Sequence, residues 1–350
     1  MVKMMVDNIQ LLDCTLRDGG LALNQSNPAL NVQFTNEQMT KIAQCLEYSG
    51  VDIIELGMVQ YNAKNKSRYA IFHNITDLSA YIPSNSNALY AAFFHGPDIP
   101  IEEVPQYDSS LCKLIRMSIR YSELDKSLLY CSKLREKGYE VSIQPTVTMQ
   151  YSDEEILKIV KAANEMNAYA VYIVDSYGCL FERELKRIYD LLDSNLNPKI
   201  SIGFHGHNNA RCALNNTLFL MDYSGDRSLI VDSCCTGMGQ GAGNLETEII
   251  INYLNKQYGK EYDFLSILKV CDLLKSFWPK SFWGYSPVVA ISAMYEMAYQ
   301  YAVALNKKYH MSLCEIASIL QYTPDKLKYR YTEENLNTIL NIYRENRKGK

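Results

Sequence analysis

From residue 9 to about residue 256 the chain repeats one pattern: a short apolar run rich in β-branched residues, a cluster of turn residues, then a segment whose apolar side chains recur with helical spacing. Such alternation builds βα units around a parallel sheet. The predicted strands span 9–14, 52–57, 88–94, 111–119, 140–148, 170–175, 199–207 and 228–233. Helices are predicted near 36–49, 74–82, 122–137, 153–166, 181–194, 211–222 and 243–256, several opening on a capping residue such as Thr35 or Ser152. The stretch 96–108 is too proline-rich for a helical connection. Eight strands at this length point to an α/β fold of the TIM-barrel, (β/α)8 type, and no GxGxxG follows the first strand to favour a Rossmann sheet. From about residue 260 only helices are predicted, at 263–276, 287–306, 312–321 and 332–346. The chain therefore divides into a barrel domain, 1–259, and a C-terminal helical domain, 260–350, whose basic end at 344–350 is expected to fray.

A chain of 350 residues can bury one large core with an appendage. Its net charge of -4 leaves no basic footprint, which argues against nucleic acid and against a membrane surface and for a small molecule or another protein as partner. Ten cysteines without a CxxC pair, and no signal peptide before the first apolar run, read as reduced thiols in the cytoplasm. The low-charge stretch 285–305 carries Glu296 and Gln300, so it is expected to be a buried helix and not a membrane span. The apolar surface of 287–306 makes a homodimer through that helix the expectation.

In a TIM barrel the active site is assembled from the C-terminal ends of the strands, so polar clusters there carry the chemistry. The first runs from Asp13 to Gly20 and holds Asp13, Arg17, Asp18 and a glycine pair expected to form a tight turn. A plain Arg17 ion pair closing the barrel is the other reading. The second is His205-Gly206-His207 at the seventh strand end: side chains at i and i+2 share one side of a strand, so the two imidazoles project together, with Gly206 keeping the space between them open. If Asp18 from the first strand end joins them, the set is two histidines and one carboxylate, which suits a divalent metal, with Mn, Co, Fe or Zn matching the donors more naturally than Mg. Such a metal polarises the ketone of a chelating 2-oxo acid, and Arg17 supplies positive charge beside the developing oxyanion. The third cluster, Gly237 to Glu246, reads either as a phosphate-binding turn or as a tight loop that needs glycine conformations.

Thr15-Leu16-Arg17-Asp18-Gly19, Val174-Asp175-Ser176, His205-Gly206-His207-Asn208 and the glycines through Asn244 together resemble the motifs of the metal-dependent barrel lyases and aldolases. That family includes 3-hydroxy-3-methylglutaryl-CoA lyase, 4-hydroxy-2-oxovalerate aldolase and the isopropylmalate and homocitrate synthases. The resemblance implies Asp18, His205 and His207 as metal ligands, with Mn first among the metals, and Arg17 as the catalytic, enolate-stabilising residue. It implies Asn244 at or near the metal and Ser176 at the carboxylate of the 2-oxo acid. Gly284-Tyr285-Ser286-Pro287 before a helix is similar to the helical domain capping the aldolases, whose helices shape the barrel mouth and contact a partner aldehyde dehydrogenase; Tyr285 would line an entrance or simply pack. One departure is important: where the hydroxyvalerate aldolases carry a histidine base, this chain has Leu21, leaving Tyr177, Tyr285, Glu55 or a metal-bound water as candidates.

The leading expectation is thus a metal-dependent aldolase or lyase acting on a pyruvate-type enolate with an aldehyde. The alternatives are a Claisen-type acyl-CoA condensing enzyme and a non-catalytic barrel acting as a binding subunit. Met238 and Gln240 stand where the acyl-CoA synthases place Glu and Arg, and Cys234 and Cys235 are expected to pack at the eighth strand end.

Overall fold

A computed structural model describes residues 8–25, 32–63, 66–83, 86–280 and 283–348. The barrel strands are β1 (Ile9–Asp13), β2 (Ile53–Val59), β4 (Leu89–Phe94), β5 (Leu114–Ile119), β6 (Glu140–Pro145), β7 (Ala170–Asp175), β8 (Ser201–Gly206) and β9 (Leu229–Ser233), with a two-residue β3 (Ile71–Phe72) between β2 and β4. All pairings are parallel, and the sheet closes because β1 pairs with both β9 and β2. This is the closed TIM barrel. The short β3 was not foreseen. It takes over the edge of β2 at Met58 and Val59, beyond the point where β1, paired only through Leu12 and Asp13, has turned into a helix.

The parallel strands are buried on both faces, in keeping with their largely apolar sequences. Inside the barrel, Leu12, Ile53, Ala91, Leu114, Ala170 and Ile230 form an apolar floor. Tyr172 lies over its register partner on the neighbouring strand, Gly203, where a Cβ would stand 2.3 Å from the ring. Small opposite large is how a barrel of this size fills its interior. Outside, α2 (Asn36–Ser49) and α4 (Asp153–Met166) begin and end where their caps dictate, with Thr35–Gln38 and Ser152–Glu155 capping boxes. The connections α3 (Leu124–Glu136), α5 (Glu182–Asp193), α6 (Ala213–Tyr223) and α7 (Thr247–Tyr258) match their predicted segments to within a few residues. The predicted helix at 74–82 is a 3-10 segment, Ile75–Tyr81, and 96–108 holds only a three-residue 3-10 turn.

Three local expectations are corrected. The stretch after β1 is not a turn but helix α1 (Thr15–Asn24), in which Gly19 and Gly20 are helical. Glycine costs about 1 kcal/mol in a helix. Here it allows close approach: a Cβ on Gly20 would lie 2.0 Å from the Tyr69 carbonyl oxygen, and one on Gly19 would lie 2.7 Å from the Met238 sulfur. Secondly, α8 (Phe264–Leu274) packs its buried face, Ile267, Val270 and Leu274, into the barrel's core and not into that of the later helices. Thirdly, the single helix expected over 287–306 is two, α9 (Pro287–Met294) and α10 (Gln300–Lys307), broken where Glu296 takes a left-handed backbone at φ 55. Neither glycine nor proline marks the break.

The helices α9, α10, α11 (Leu313–Leu320), α12 (Asp325–Lys328) and α13 (Glu333–Lys348) enclose a second core of Met297, Tyr301, Leu305, Ile316, Ile319 and Leu336. The helix α13 runs through the stretch expected to fray as far as Lys348, and residues 349–350 lie outside the described ones. Among the described residues no helix is long and apolar enough to cross a membrane, and all ten cysteines are free.

Candidate metal centre

Three buried side chains converge at the C-terminal end of the barrel. Asp18 comes from the first turn of α1, which follows β1 directly; His205 lies on β8 and His207 just beyond it. One ligand atom of each lies within 4.8 Å of the others, and His207 Nε2 is 3.9 Å from Asp18 Oδ2. The two imidazoles stand perpendicular, with ring centroids 5.1 Å apart. Gly206 does not keep the space between them open: a Cβ there would meet the Phe204 ring at 2.8 Å, on the other side of the strand. Asn244 donates from Nδ2 to Asp18 and leaves its Oδ1 buried without a hydrogen-bond partner among the described residues. One carboxylate, two imidazoles and an orphaned amide oxygen in a buried site form a donor set that fits a divalent cation.

An alternating chain of buried charges sits beneath this set. Arg17 donates from Nη1 to Asp18 at 2.8 Å and from Nε to Glu55 at 2.7 Å. Arg116 Nη1 lies 2.8 Å from the other Glu55 oxygen, and Nη2 pairs with Asp232. Asp232 in turn meets His205 Nδ1 at 2.9 Å, so Nε2 is the nitrogen through which this imidazole would hold a cation. Burial alone would push the Asp18 carboxyl up, but Arg17 and the two imidazoles outweigh it and hold it at about 2. Burial would push His205 down, yet its hydrogen bond to Asp232 brings it to about 9; burial wins at His207 and lowers it to about 4. Asp18 is therefore ionised and His207 neutral at neutral pH, both ready to ligate. A cation would have to displace the His205 proton.

Arg116 and Asp232 went unnoticed in the sequence. The available signal was a lone charge inside an otherwise apolar strand, Leu-Ile-Arg-Met-Ser-Ile and Leu-Ile-Val-Asp-Ser. Glu55, a candidate base, is corrected: it is buried between two guanidinium groups, each facing one of its carboxylate oxygens. Tyr177 is also removed, since its hydroxyl donates to the Tyr329 carbonyl oxygen at 2.7 Å and ties β7 to the second core. Tyr285 stands apart from the three converging residues. It is exposed, with the Arg211 guanidinium 5.4 Å over its ring, and lines a groove of 240 Å³ with Trp278, Trp283 and Glu246 on the far side of the glycine loop. The hydroxyl of Ser176 accepts from the Val147 N–H at 2.9 Å at the end of β7 and keeps its own proton to donate.

Gly237, Gly241 and Gly243 all have positive φ, and a Cβ on Gly243 would stand 2.0 Å from the Gly237 carbonyl oxygen. The loop folds on itself and docks on the end of β8 through Asn208 N–H to the Gly243 carbonyl at 2.8 Å. Its conformation places Asn244 against Asp18, which is the tight-loop reading. Cys234 and Cys235 are buried at the end of β9, with Cys234 Sγ 3.2 Å from Cys14 Sγ. One further residue was missed: Tyr299, between α9 and α10, reaches over the barrel mouth. Its hydroxyl lies 3.3 Å from the Gln25 and Gln240 side-chain oxygens, and burial first, then the Asp18 charge, raises its pKa.

A closed parallel barrel with a carboxylate and two histidines gathered at the C-terminal ends of its strands defines a class of lyases and their relatives. Within it the chain belongs to the HMGL-like family, whose profile matches residues 8–274. A 4-hydroxy-2-oxovalerate aldolase of Pelotomaculum thermopropionicum is 30% identical over 274 residues, 77% of either chain. An oxaloacetate decarboxylase of Mycobacterium tuberculosis is 27% identical over 250 residues, covering 71% of this chain and 70% of that one. The fold matches the solved N-terminal domain of an aldolase-like protein of Bacteroides vulgatus with a TM-score of 0.69 at 22% identity, over 86% of this chain and 98% of that one.

Proposed function

We propose that the protein is a carbon–carbon lyase that cleaves or forms the bond next to a 2-oxo acid, through the enolate of pyruvate or a close analogue. The observation that carries this reading is the buried Arg17–Asp18 pair beside His205 and His207, which offers both a cation site and a fixed guanidinium at one spot. The names of the two relatives describe breaking a carbon–carbon bond in a 2-oxo acid. Asp18, His205 and His207 would hold the cation, with Asn244 Oδ1 as a further oxygen. A divalent ion there supplies Lewis-acid polarisation of the substrate's keto group.

The protein's own residues do the rest. Arg17, held rigid by Glu55 and Asp18, presents positive charge where the enolate oxygen develops, and it needs no reorganisation to do so. Its guanidinium also lies 4.6 Å over the Phe93 ring, which excludes water on that side. Ser176, whose hydroxyl proton is not used by its bond to Val147, would bind the substrate carboxylate, and the Tyr299 hydroxyl, raised in pKa, stays protonated as a donor at the mouth. Manganese is the metal proposed for the mixed imidazole and carboxylate donors. The free thiols support a reducing, cytoplasmic setting. A homodimer and a partner dehydrogenase on the C-terminal helices complete the proposal, as does a division into barrel and helical domains.

The test is to measure bound metal and to follow proton–deuterium exchange at the methyl group of pyruvate with added Mn, for the wild type and for Asp18→Ala. Exchange that disappears in the variant supports the reading. A wild type that binds no metal and exchanges nothing overturns it.

A further inference from the structure

Position 21 cannot move a proton: Leu21 packs into an apolar cluster with Met58, Ala63 and Ile71. A 4-hydroxy-2-oxo acid nevertheless needs a group that takes its hydroxyl proton as the carbon–carbon bond breaks. We propose that His95, at the mouth end of β4, is that acid–base residue, an inference that rests on the function proposed above.

The placement follows from strand alternation. On β4, Ala91 belongs to the barrel interior and Phe93 faces it too, its ring under the Arg17 guanidinium, while Tyr90, Ala92 and Phe94 pack in the outer core. The ladder to β2 runs on past Phe94, because the His95 N–H donates to the Val59 carbonyl at 3.1 Å. We place His95 on the side of Phe93, about 7 Å nearer the mouth, at the tight turn just beyond the strand end, which the Gly96 N–H closes on the Phe94 carbonyl at 3.0 Å. A 2-oxo acid whose keto oxygen lies at Arg17 extends its hydroxyl-bearing carbon in that direction. The second observation is independent of the first: His95 Nδ1 is buried and, among the described residues, has no hydrogen-bond partner, the ring's other polar neighbour being its own backbone. A buried imidazole nitrogen without a partner is uncommon unless a ligand completes it. The charged groups around it are Arg120, Asp98 and Glu123, with Arg120 already paired to both carboxylates. Burial, then Arg120, lower the imidazole below its ordinary value, so the base form prevails at neutral pH. Tyr299 complements it and does not replace it, since a hydroxyl whose pKa is raised donates and does not abstract.

In the cleavage direction His95 removes the proton from the 4-hydroxyl. The O–H electron pair becomes the aldehyde carbonyl, and the bond between carbons 3 and 4 breaks. Its electrons form the carbon–carbon double bond of the enolate, with the negative charge on the oxygen beside Arg17. Return of the same proton to carbon 3 gives pyruvate, so no net proton is consumed. Decarboxylation of oxaloacetate yields the same enolate but has no hydroxyl to deprotonate, so it does not require this residue.

The experiment compares the cleavage of 4-hydroxy-2-oxopentanoate and its longer-chain analogues with oxaloacetate decarboxylation in the metal-loaded wild type, His95→Gln and His95→Ala. The expected result is a loss of cleavage by about 100-fold or more in both variants, with decarboxylation within a few-fold of wild type. Free imidazole should restore cleavage to His95→Ala, and metal affinity by calorimetry should not move. Cleavage retained in His95→Gln, or equal loss of both reactions without imidazole rescue, overturns the role of His95. So does a wild type that decarboxylates but cleaves no member of the series. Absence of both reactions in the wild type would instead sink the proposed function, and this inference with it.

Discussion

The barrel interior and the C-terminal helices solve opposite problems with the same backbone chemistry. Above its apolar floor the barrel carries Asp18, Arg17, Glu55, Arg116, Asp232 and His205 as one buried chain of alternating charge. The helical core around Tyr301 and Leu336 is apolar, and its buried tyrosine hydroxyl simply donates to carbonyl groups of Leu327 and Arg330 at 2.7 Å. Buried ion pairs are poor stabilisers, because desolvation cancels much of their attraction. Their concentration in one region therefore marks where the molecule needs fixed charge, and the apolar region shows what packing for stability alone looks like.

That contrast can be broken most directly at Asp18. Replacement by alanine should abolish metal binding and lower turnover by about 1,000-fold or more, since three-ligand sites rarely survive the loss of a charged ligand; calorimetry with Mn and the exchange assay check it. Next in size is Arg116→Gln, which removes the cation shared by Glu55 and Asp232, leaves them only Arg17 and His205 as ionic partners, and should destabilise folding by about 3–5 kcal/mol in urea denaturation. A loss below about 1 kcal/mol would mean that the charges are not held as described.

Asp175 sharpens the comparison at the border between the two regions. It is buried at the end of β7 and accepts the Cys179 and Leu180 N–H groups at 2.9 and 3.1 Å, and burial raises its pKa to about 6. A carboxyl raised in the folded state favours folding while protonated, and this contribution is lost as pH rises from its ordinary value near 4 through about 6. The stability difference between the wild type and Asp175→Asn should therefore change by about 3 kcal/mol over that window and level off above it. The smallest effect belongs to Tyr177→Phe, which removes the hydrogen bond to the Tyr329 carbonyl that joins barrel and helices. About 1 kcal/mol of thermal stability should go, with metal affinity unchanged. A change in metal affinity would mean that the helices hold the site and do not merely cover it.

Much of the site could be read from the chain because its signals are local. His205 and His207 share a strand face at spacing two, and Asp18 follows a strand end by a few residues. The capping boxes of α2 and α4 likewise fix helix starts within four residues of sequence. What stayed hidden was longer in range. Gly19 and Gly20 read as a turn, because only the approach of the Tyr69 carbonyl and Met238 shows why a helix tolerates them. The break at Glu296 carries no glycine or proline, and it follows from two helices having to turn around one core. Tyr285 attracted notice beside a motif, whereas Tyr299 at the broken helix is the residue that reaches the mouth.

Sequence alone determined the barrel, its eight strands to within a few residues, and the pairing of His205 with His207 on one strand face, because periodicity and spacing are properties of neighbours along the chain, while the family resemblance singled out Asp18. Tertiary structure decided which charges meet. Arg17 finds Glu55 38 residues away, and Arg116 finds Asp232 116 residues away, only because closing the sheet brings β1, β2, β5 and β9 to face one interior. Closure also decided that Glu55 is locked between Arg17 and Arg116, since which side chains point to the axis is set by strand register around the whole barrel and not by any one segment.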